Sequence, residues 1–231
     1  MNPNDQTPQA TSAASLLKTL GFVSALCGVI IVGVYQGTYE AAAANRRLAL
    51  ERTVFRIVPA AKTMVEWQAT ATGIRPAGGE GASKADAGAI KFYAAYAADG
   101  SLAGIAVEGA AKGYADVVRI LYGYSPDCQC INGIGVVAMK ETPGIGDKII
   151  TDETFLANFV TLDVKLDREL AKLANEVKVV RHGSKTDAWQ IDAISGATVT
   201  SRAVGKAIND SAQALLPKLL PNVEQLRKKE S

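Results

Sequence analysis

The chain is poor in the residues that do chemistry unaided. One histidine and three cysteines among 231 residues cannot furnish a Cys/His zinc site of the usual four-ligand spacing. Reactivity here is expected to come from an imported cofactor. A charge surplus is missing too: 25 basic residues face 23 acidic ones for a net of +2, which argues against nucleic-acid binding as the main business. Hydrophobic residues make up 48% and charged ones 21%, a balance that excludes bulk disorder and a polytopic membrane protein alike. At about 150 residues per domain, the length allows one folded domain and an appendage.

Only one long uncharged run is present, Thr19 to Tyr39, with Phe22, Val23, Leu26, Val29, Ile30, Ile31, Val32 and Val34 inside it. As a helix it reaches about 31 Å, close to the roughly 30 Å hydrocarbon core of a bilayer. One transmembrane helix is the expectation, preceded by an N-terminal cytoplasmic segment at 1–18 and surrounded by membrane lipid. The alternative is a cleaved signal peptide ending at Ala41 to Ala44; the run exceeds a usual signal's apolar core of about 7–15 residues. Arg46, Arg47, Arg52 and Arg56 follow the run and only Lys18 precedes it, so positive-inside counting points the C-terminal part to the cytoplasm. Large domains translocate largely regardless of charge.

Leu48, Val54, Phe55 and Val58 recur at near-helical spacing, so a helical connector is expected over 40–72, bent at Pro59. Residues 73–88, rich in Gly, Pro, Ala and Ser, read as a surface loop. Asp99-Gly100 between apolar runs signals a hairpin, and Asn132-Gly133 ahead of Ile134, Val136 and Val137 looks like a related unit. With the β-rich stretch Tyr114 to Tyr122 between them, the pattern predicts an α+β fold with a twisted antiparallel sheet flanked by helices. Thr151 reads as an N-cap before Phe155 and Phe159. Leu166, Leu170 and Leu173 predict a helix over 162–175, and Val177 to Ile191 a second hairpin turning at His182-Gly183-Ser184. Val204, Ile208, Ala212 and Leu215 mark one face of a helix over Ser201 to Leu216. The folded domain is therefore set at 73–216 and a basic tail at 217–231. Cys27 reads as a small apolar packer in the membrane run. Cys128 and Cys130 would lie about 6.6 Å apart on one face of an extended segment, a structural pair in preference to half of a metal site.

Two stretches carry the chemistry: Glu141-Thr142-Pro143-Gly144-Ile145-Gly146-Asp147-Lys148, and Asp192-Ala193-Ile194-Ser195-Gly196-Ala197-Thr198-Val199-Thr200-Ser201. The second is a hydroxyl-rich turn feeding directly into the last amphipathic helix. Unpaired first-turn amides and the positive end of the helix dipole favour an anion there, and Gly196 and Ala197 keep side chains out of its way. The plainer reading is a helix start capped by Ser195, Thr198 or Thr200.

Ser195-Gly196-Ala197-Thr198, preceded by Asp192 and followed by Val199, Thr200 and Ser201, resembles the flavinylation motif of FMN-binding domains. The ETPGIGDKI stretch and the single N-terminal membrane run are similar to the G subunit of the Rnf-type ion-motive electron-transport complex, with the C subunit of the sodium-translocating NADH:quinone reductase as a relative. The resemblance spans roughly residues 15–215. It implies FMN joined through its phosphate to Thr198 Oγ1, held by Val199 and by the hydroxyls of Ser195 and Thr200, with Gly196 and Ala197 in the turn. It implies further that Glu141, Thr142 and Gly144 lie near the isoalloxazine, and that a flavin transferase reads Asp192. The function implied is a membrane-anchored electron carrier, with no stand-alone turnover of a substrate, partnered by the other membrane subunits of such a complex. Its FMN domain would face the periplasm. Two other classes compete: a hydrolase using Ser195, His182 and Asp192, which lacks the G-x-S-x-G turn, and an anchored non-redox module binding phosphorylated ligands.

Overall fold

The computed structural model describes residues 12–70, 73–77 and 88–227. The chain divides into two units, Met1–Leu48 and Ala49–Ser231. Helix α1, Ala13–Ile57, runs through the described residues of the first and continues into the second. In the first unit its apolar side chains, Phe22, Ile30 and Ile31 among them, are exposed. The helix is long and apolar enough to cross a membrane by length and composition, and a stripe-free apolar surface is what a bilayer-facing helix presents.

The second unit is an α+β domain, the class the sequence predicts. Its seven-stranded sheet comprises β1 (Thr63–Thr70), β2 (Gly73–Pro76), β3 (Ile90–Tyr96), β4 (Leu102–Lys112), β5 (Val117–Ser125), β6 (Cys130–Ala138) and β7 (Leu162–Asp163). The order is β2-β1-β3-β4-β5-β6-β7, antiparallel throughout. Alternation puts Ile105, Val107, Ile120 and Tyr122 on one face with Ala203, Val204, Ile208 and Leu215 of helix α4 (Thr198–Leu219). The intervening Ala106 and Leu121 face the other way, into a second cluster with Val54, Ile57 and Val58 at the end of α1. The short helices α2 (Lys148–Thr151), α3 (Glu153–Ala157) and α5 (Val223–Arg227), and a parallel pair β8 (Lys178–Val180) and β9 (Gln190–Asp192), complete the unit.

The Asp99-Gly100 hairpin forms as expected, with Gly100 at φ +82° and Asp99 Oδ1 accepting from the Ser101 amide at 2.9 Å. Elsewhere the structure corrects the sequence reading. The helical connector stops at Ile57, two residues before Pro59, and Thr63–Thr70 is a strand whose burial alternates. Of the expected loop at 73–88, residues 73–76 form β2, while 78–87 lie outside the described residues, as do 1–11 of the N-terminal segment. Asn132-Gly133 is no turn: it sits inside β6 opposite a register shift at Gly123/Tyr124, and the reversal comes at 126–129. The cap of α3 is Asp152, one residue beyond Thr151, its side chain accepting from the Phe155 amide at 2.9 Å.

Residues 162–175 do not form a helix. Leu166 and Leu173 bridge antiparallel and point into the core, while Leu170 turns outward at φ +57°. Val179 and Ile191 pair in parallel because the connection reverses twice, at Arg181 to Ser184 and at Asp187 to Gln190. The expected tail at 217–231 is folded as far as Arg227, with Leu219, Val223 and Leu226 buried; its Lys228 and Lys229 lie outside the described residues.

Candidate functional site

The two stretches singled out by sequence meet in one cavity of about 390 Å³, lined by Glu141, Thr142, Ile145 and Gly146 from one side and Gly196 to Thr200 from the other, with Tyr114 at its edge. The turn before α4 is braced from within. Gly196 adopts φ +84°, a left-handed conformation that favours glycine. Ser201 Oγ accepts from the Ile194 amide at 3.1 Å and donates to the Ala197 carbonyl at 3.0 Å.

The helix itself begins uncapped. Its N-cap residue is Ala197, which makes no side-chain cap bond, and the hydroxyls expected as caps are placed otherwise. Thr200 is buried and its Oγ1 donates to Glu141 Oε2 at 2.7 Å. Ser195 is exposed and lines a different cavity. Thr198 is half-buried and lines the 390 Å³ cavity. The first-turn amides thus face the cavity end of the helix without a side-chain acceptor, the arrangement in which helix termini take up anions.

Glu141 organises the opposite wall. Its carboxylate accepts from the backbone amides of Tyr114, Ala115 and Asp116 at 3.3, 3.1 and 3.5 Å as well as from Thr200. Burial pushes its pKa up, but these hydrogen bonds outweigh it and hold the group below the ordinary glutamate value. Glu141 therefore ties the 113–116 turn to α4 and has few acceptor positions left for a ligand. A Cβ on Gly146 would lie 2.5 Å from Glu141 Cβ, and one on Gly113 2.5 Å from its Oε1, so both glycines make room for this side chain.

Three apolar side chains ring the cavity mouth in the open: Tyr114 is 73%, Ile145 50% and Val199 48% exposed. A planar aromatic group seated there would cover them, while its phosphate met the uncapped amides and Thr198. The residues present fit FMN in size and chemistry. Among the residues the resemblance implied, Glu141, Thr142, Gly196, Ala197, Thr198, Val199 and Thr200 come together in this cavity. Gly144, at φ +77°, shapes the loop and does not line it. Tyr114 is not singled out by sequence; its signal is a lone aromatic in the Lys112-Gly113-Tyr114-Ala115-Asp116 turn. Ile145 and Gly146 fall inside the quoted stretch without a role assigned to them.

Ser195, Asp192 and His182 share a second cavity of about 170 Å³ with Lys148 and Asp152. Asp192 Oδ2 accepts from the Gly183 amide at 2.9 Å and lies 3.6 Å from His182 Nδ1, whereas its buried Oδ1 has no hydrogen-bond partner among the described residues. His182 Nδ1 is 3.1 Å from the Ala193 carbonyl, and no hydrogen bond joins Ser195 to His182 among the described residues. The nucleophile and base of the hydrolase reading are thus not engaged with one another.

Comparison with known proteins agrees with this geometry. Residues 113–213 match the FMN-binding domain family. Along 94% of its length the chain is 29% identical to the G subunit of the ion-translocating oxidoreductase complex of Haemophilus influenzae, covering 99% of that protein. It is 34% identical to the protein of the same name from Methanosarcina acetivorans over 53% of this chain and 56% of that one. With the G subunit of the Na(+)-translocating ferredoxin:NAD(+) oxidoreductase complex of Acetobacterium woodii it shares 36% identity over 50% of each chain. The crystal structure of NqrC from Shewanella oneidensis superposes with a TM-score of 0.56 at 21% identity, covering 79% of this chain and 98% of that one, which shows a shared fold. The cavity lies inside the matched region, and the chain is similar to the FMN-binding domain family there and to the G subunits of ion-translocating oxidoreductase complexes over nearly its whole length.

Proposed function

We propose that FMN occupies the 390 Å³ cavity as a phosphoester of Thr198 Oγ1, and that the chain is the membrane-anchored electron-carrier subunit of an Rnf-type complex coupling ferredoxin and NAD redox chemistry to ion transport. The observation that carries this reading is the convergence of the ETPGIGD loop and the Ser-Gly-Ala-Thr turn on an uncapped helix start, where Thr200 is tied to Glu141, Ser195 lines another cavity, and Thr198 lines this one with no side-chain hydrogen bond among the described residues. Bound FMN supplies the redox chemistry. The chain's residues hold its phosphate through the Thr198 to Thr200 amides, shelter its ring among Tyr114, Ile145 and Val199, and keep the two walls together through Glu141. In this reading a flavin transferase recognises the turn through Asp192, which lines the neighbouring cavity together with Ser195. The other membrane subunits of the complex are the electron donor and acceptor partners.

The placing of the FMN domain on the periplasmic side of the inner membrane draws support from the Cys128–Cys130 disulfide, since disulfides persist in oxidising compartments and are rare in the cytosol.

The test is in-gel flavin fluorescence after SDS denaturation, with the chain made beside a flavin transferase. Thr198→Ala should abolish the signal. Thr200→Ala should weaken it, because the Glu141 tie is lost, and Ser195→Ala should leave most of it. Fluorescence persisting in Thr198→Ala, or a dark wild-type chain, would overturn the assignment.

A further inference from the structure

The 126–129 reversal between β5 and β6 carries a disulfide, Cys128 to Cys130, enclosing a single residue. Closing so small a ring removes far less chain entropy from the unfolded state than a long-loop disulfide does, so stapling the domain is a weak reason for it. The two sulfurs are also unequal in access: Cys128 is exposed and Cys130 buried. Asp127, next in sequence to the exposed cysteine, is paired with Arg227 at 2.5 Å, which lessens the repulsion an incoming thiolate would meet from it.

The enclosed residue has work of its own. Gln129 adopts φ +49°, a region side-chained residues seldom occupy. From there its carbonyl accepts from the Val164 amide at 3.2 Å and its Oε1 from the Leu166 amide at 3.1 Å. Those amides open the strap that runs on through the Leu166–Leu173 bridge to α4, where Leu173 N donates to Gln213 Oε1 and Val177 N to Asn209 Oδ1.

We propose that Cys128–Cys130 is a thiol–disulfide exchange site that takes a dithiol reductant and controls the docking of the 162–175 strap through Gln129. A thiolate of the reductant attacks Cys128 Sγ, forming a mixed disulfide and expelling Cys130 as a thiolate that takes a proton from water. The reductant's second thiolate then displaces Cys128 from the mixed disulfide. Two electrons pass from the dithiol, which leaves as its own disulfide, and the chain holds two thiols. Gln129 is then released from its constrained conformation, and the strap loses the acceptors for Val164 and Leu166. This inference does not depend on the flavin assignment.

The experiment uses the full chain in detergent with Cys27→Ser, so that only the pair reports. Dithiothreitol without denaturant should convert the disulfide to two alkylatable thiols, read by intact mass after iodoacetamide. Amide exchange at Val164 and Leu166 should then quicken by about tenfold or more, with β4 unchanged. In Cys130→Ser the thiol of Cys128 should alkylate at least about tenfold faster than that of Cys130 in Cys128→Ser. A pair already reduced as isolated in air, a disulfide that yields only under denaturant, equal alkylation rates, or unaltered exchange after reduction would each overturn the proposal.

Discussion

Glu141 joins three backbone amides of one loop and a hydroxyl of a helix that follows it by more than fifty positions in sequence. Replacing it by Gln keeps the shape but removes the charge and half of the acceptor capacity, and the site is open enough for solvent to screen part of the effect. Glu141→Gln should therefore cost about 1 kcal/mol in urea unfolding at neutral pH. Its folded pKa lies below the ordinary 4.5, so the stabilisation from the ionised group is complete above that value and disappears as pH falls through the folded pKa. Wild type and Glu141→Gln should converge in stability at acid pH; a gap independent of pH would remove the carboxylate latch. At this scale the sequence shows where an anion site can form, since a hydroxyl-rich turn running into an amphipathic helix leaves first-turn amides free, and Thr198 lines the cavity there. It places Glu141 in the site but not its partners, which lie in a turn that only the sheet brings near. Ser195 shows the converse: its position in the motif suggests a phosphate contact, but the sharp turn at Gly196 sends it to the other cavity.

Among the elements, α4 sits so close to β4 that the missing side chain of Gly109 is a requirement. A Cβ there would lie 2.6 Å from the Ala207 carbonyl oxygen, a backbone atom that cannot swing aside. Gly109→Ala should destabilise the domain by about 1–3 kcal/mol and lower flavin loading, because the helix it displaces carries Thr198. In Gly144→Ala no neighbour is met within 4 Å, and the cost should be only that of holding φ +77°, about 1–2 kcal/mol. Chemical denaturation of both variants with flavin quantification separates the cases: equal flavin loss would show that loop strain and not helix position governs loading. The long elements are legible in the sequence for good reasons. Asp99-Gly100 fixes its own turn, and α4 shows a steady apolar stripe. The 162–175 strap is not, because leucines at helical spacing also suit a loop that folds back on itself, burying the first and third while the second turns outward. The β8/β9 pair misleads in another way: its apolar alternation is real, but direction is set by how many times the connection reverses, and polar turns such as Asp187 to Gln190 do not declare their number.

For the whole molecule, β5 separates the two places proposed to carry redox chemistry. Its start adjoins the Tyr114 turn and its end the Cys128 reversal, roughly 26 Å apart along the strand. Flavin loading should therefore be unaffected when Cys128→Ser and Cys130→Ser are combined, read by the same in-gel fluorescence. The orientation across the membrane is where two signals conflict. Arg46, Arg47, Arg52 and Arg56 follow the apolar run, and charge counting would keep them in the cytoplasm. The folded domain that follows carries a disulfide, which a reducing cytosol would not maintain. Positive-inside bias acts through short flanking loops and is weak against a large translocated domain, whereas disulfide persistence depends on the compartment in which the finished domain resides, so the second signal should win. Alkaline phosphatase fused after Ser231 should accordingly be active in intact cells, and a fluorescent protein that matures only in the cytosol should stay dark at the same position. The reverse pair of results would place the domain inside, and would leave the cysteine pair to be sought as free thiols in cells.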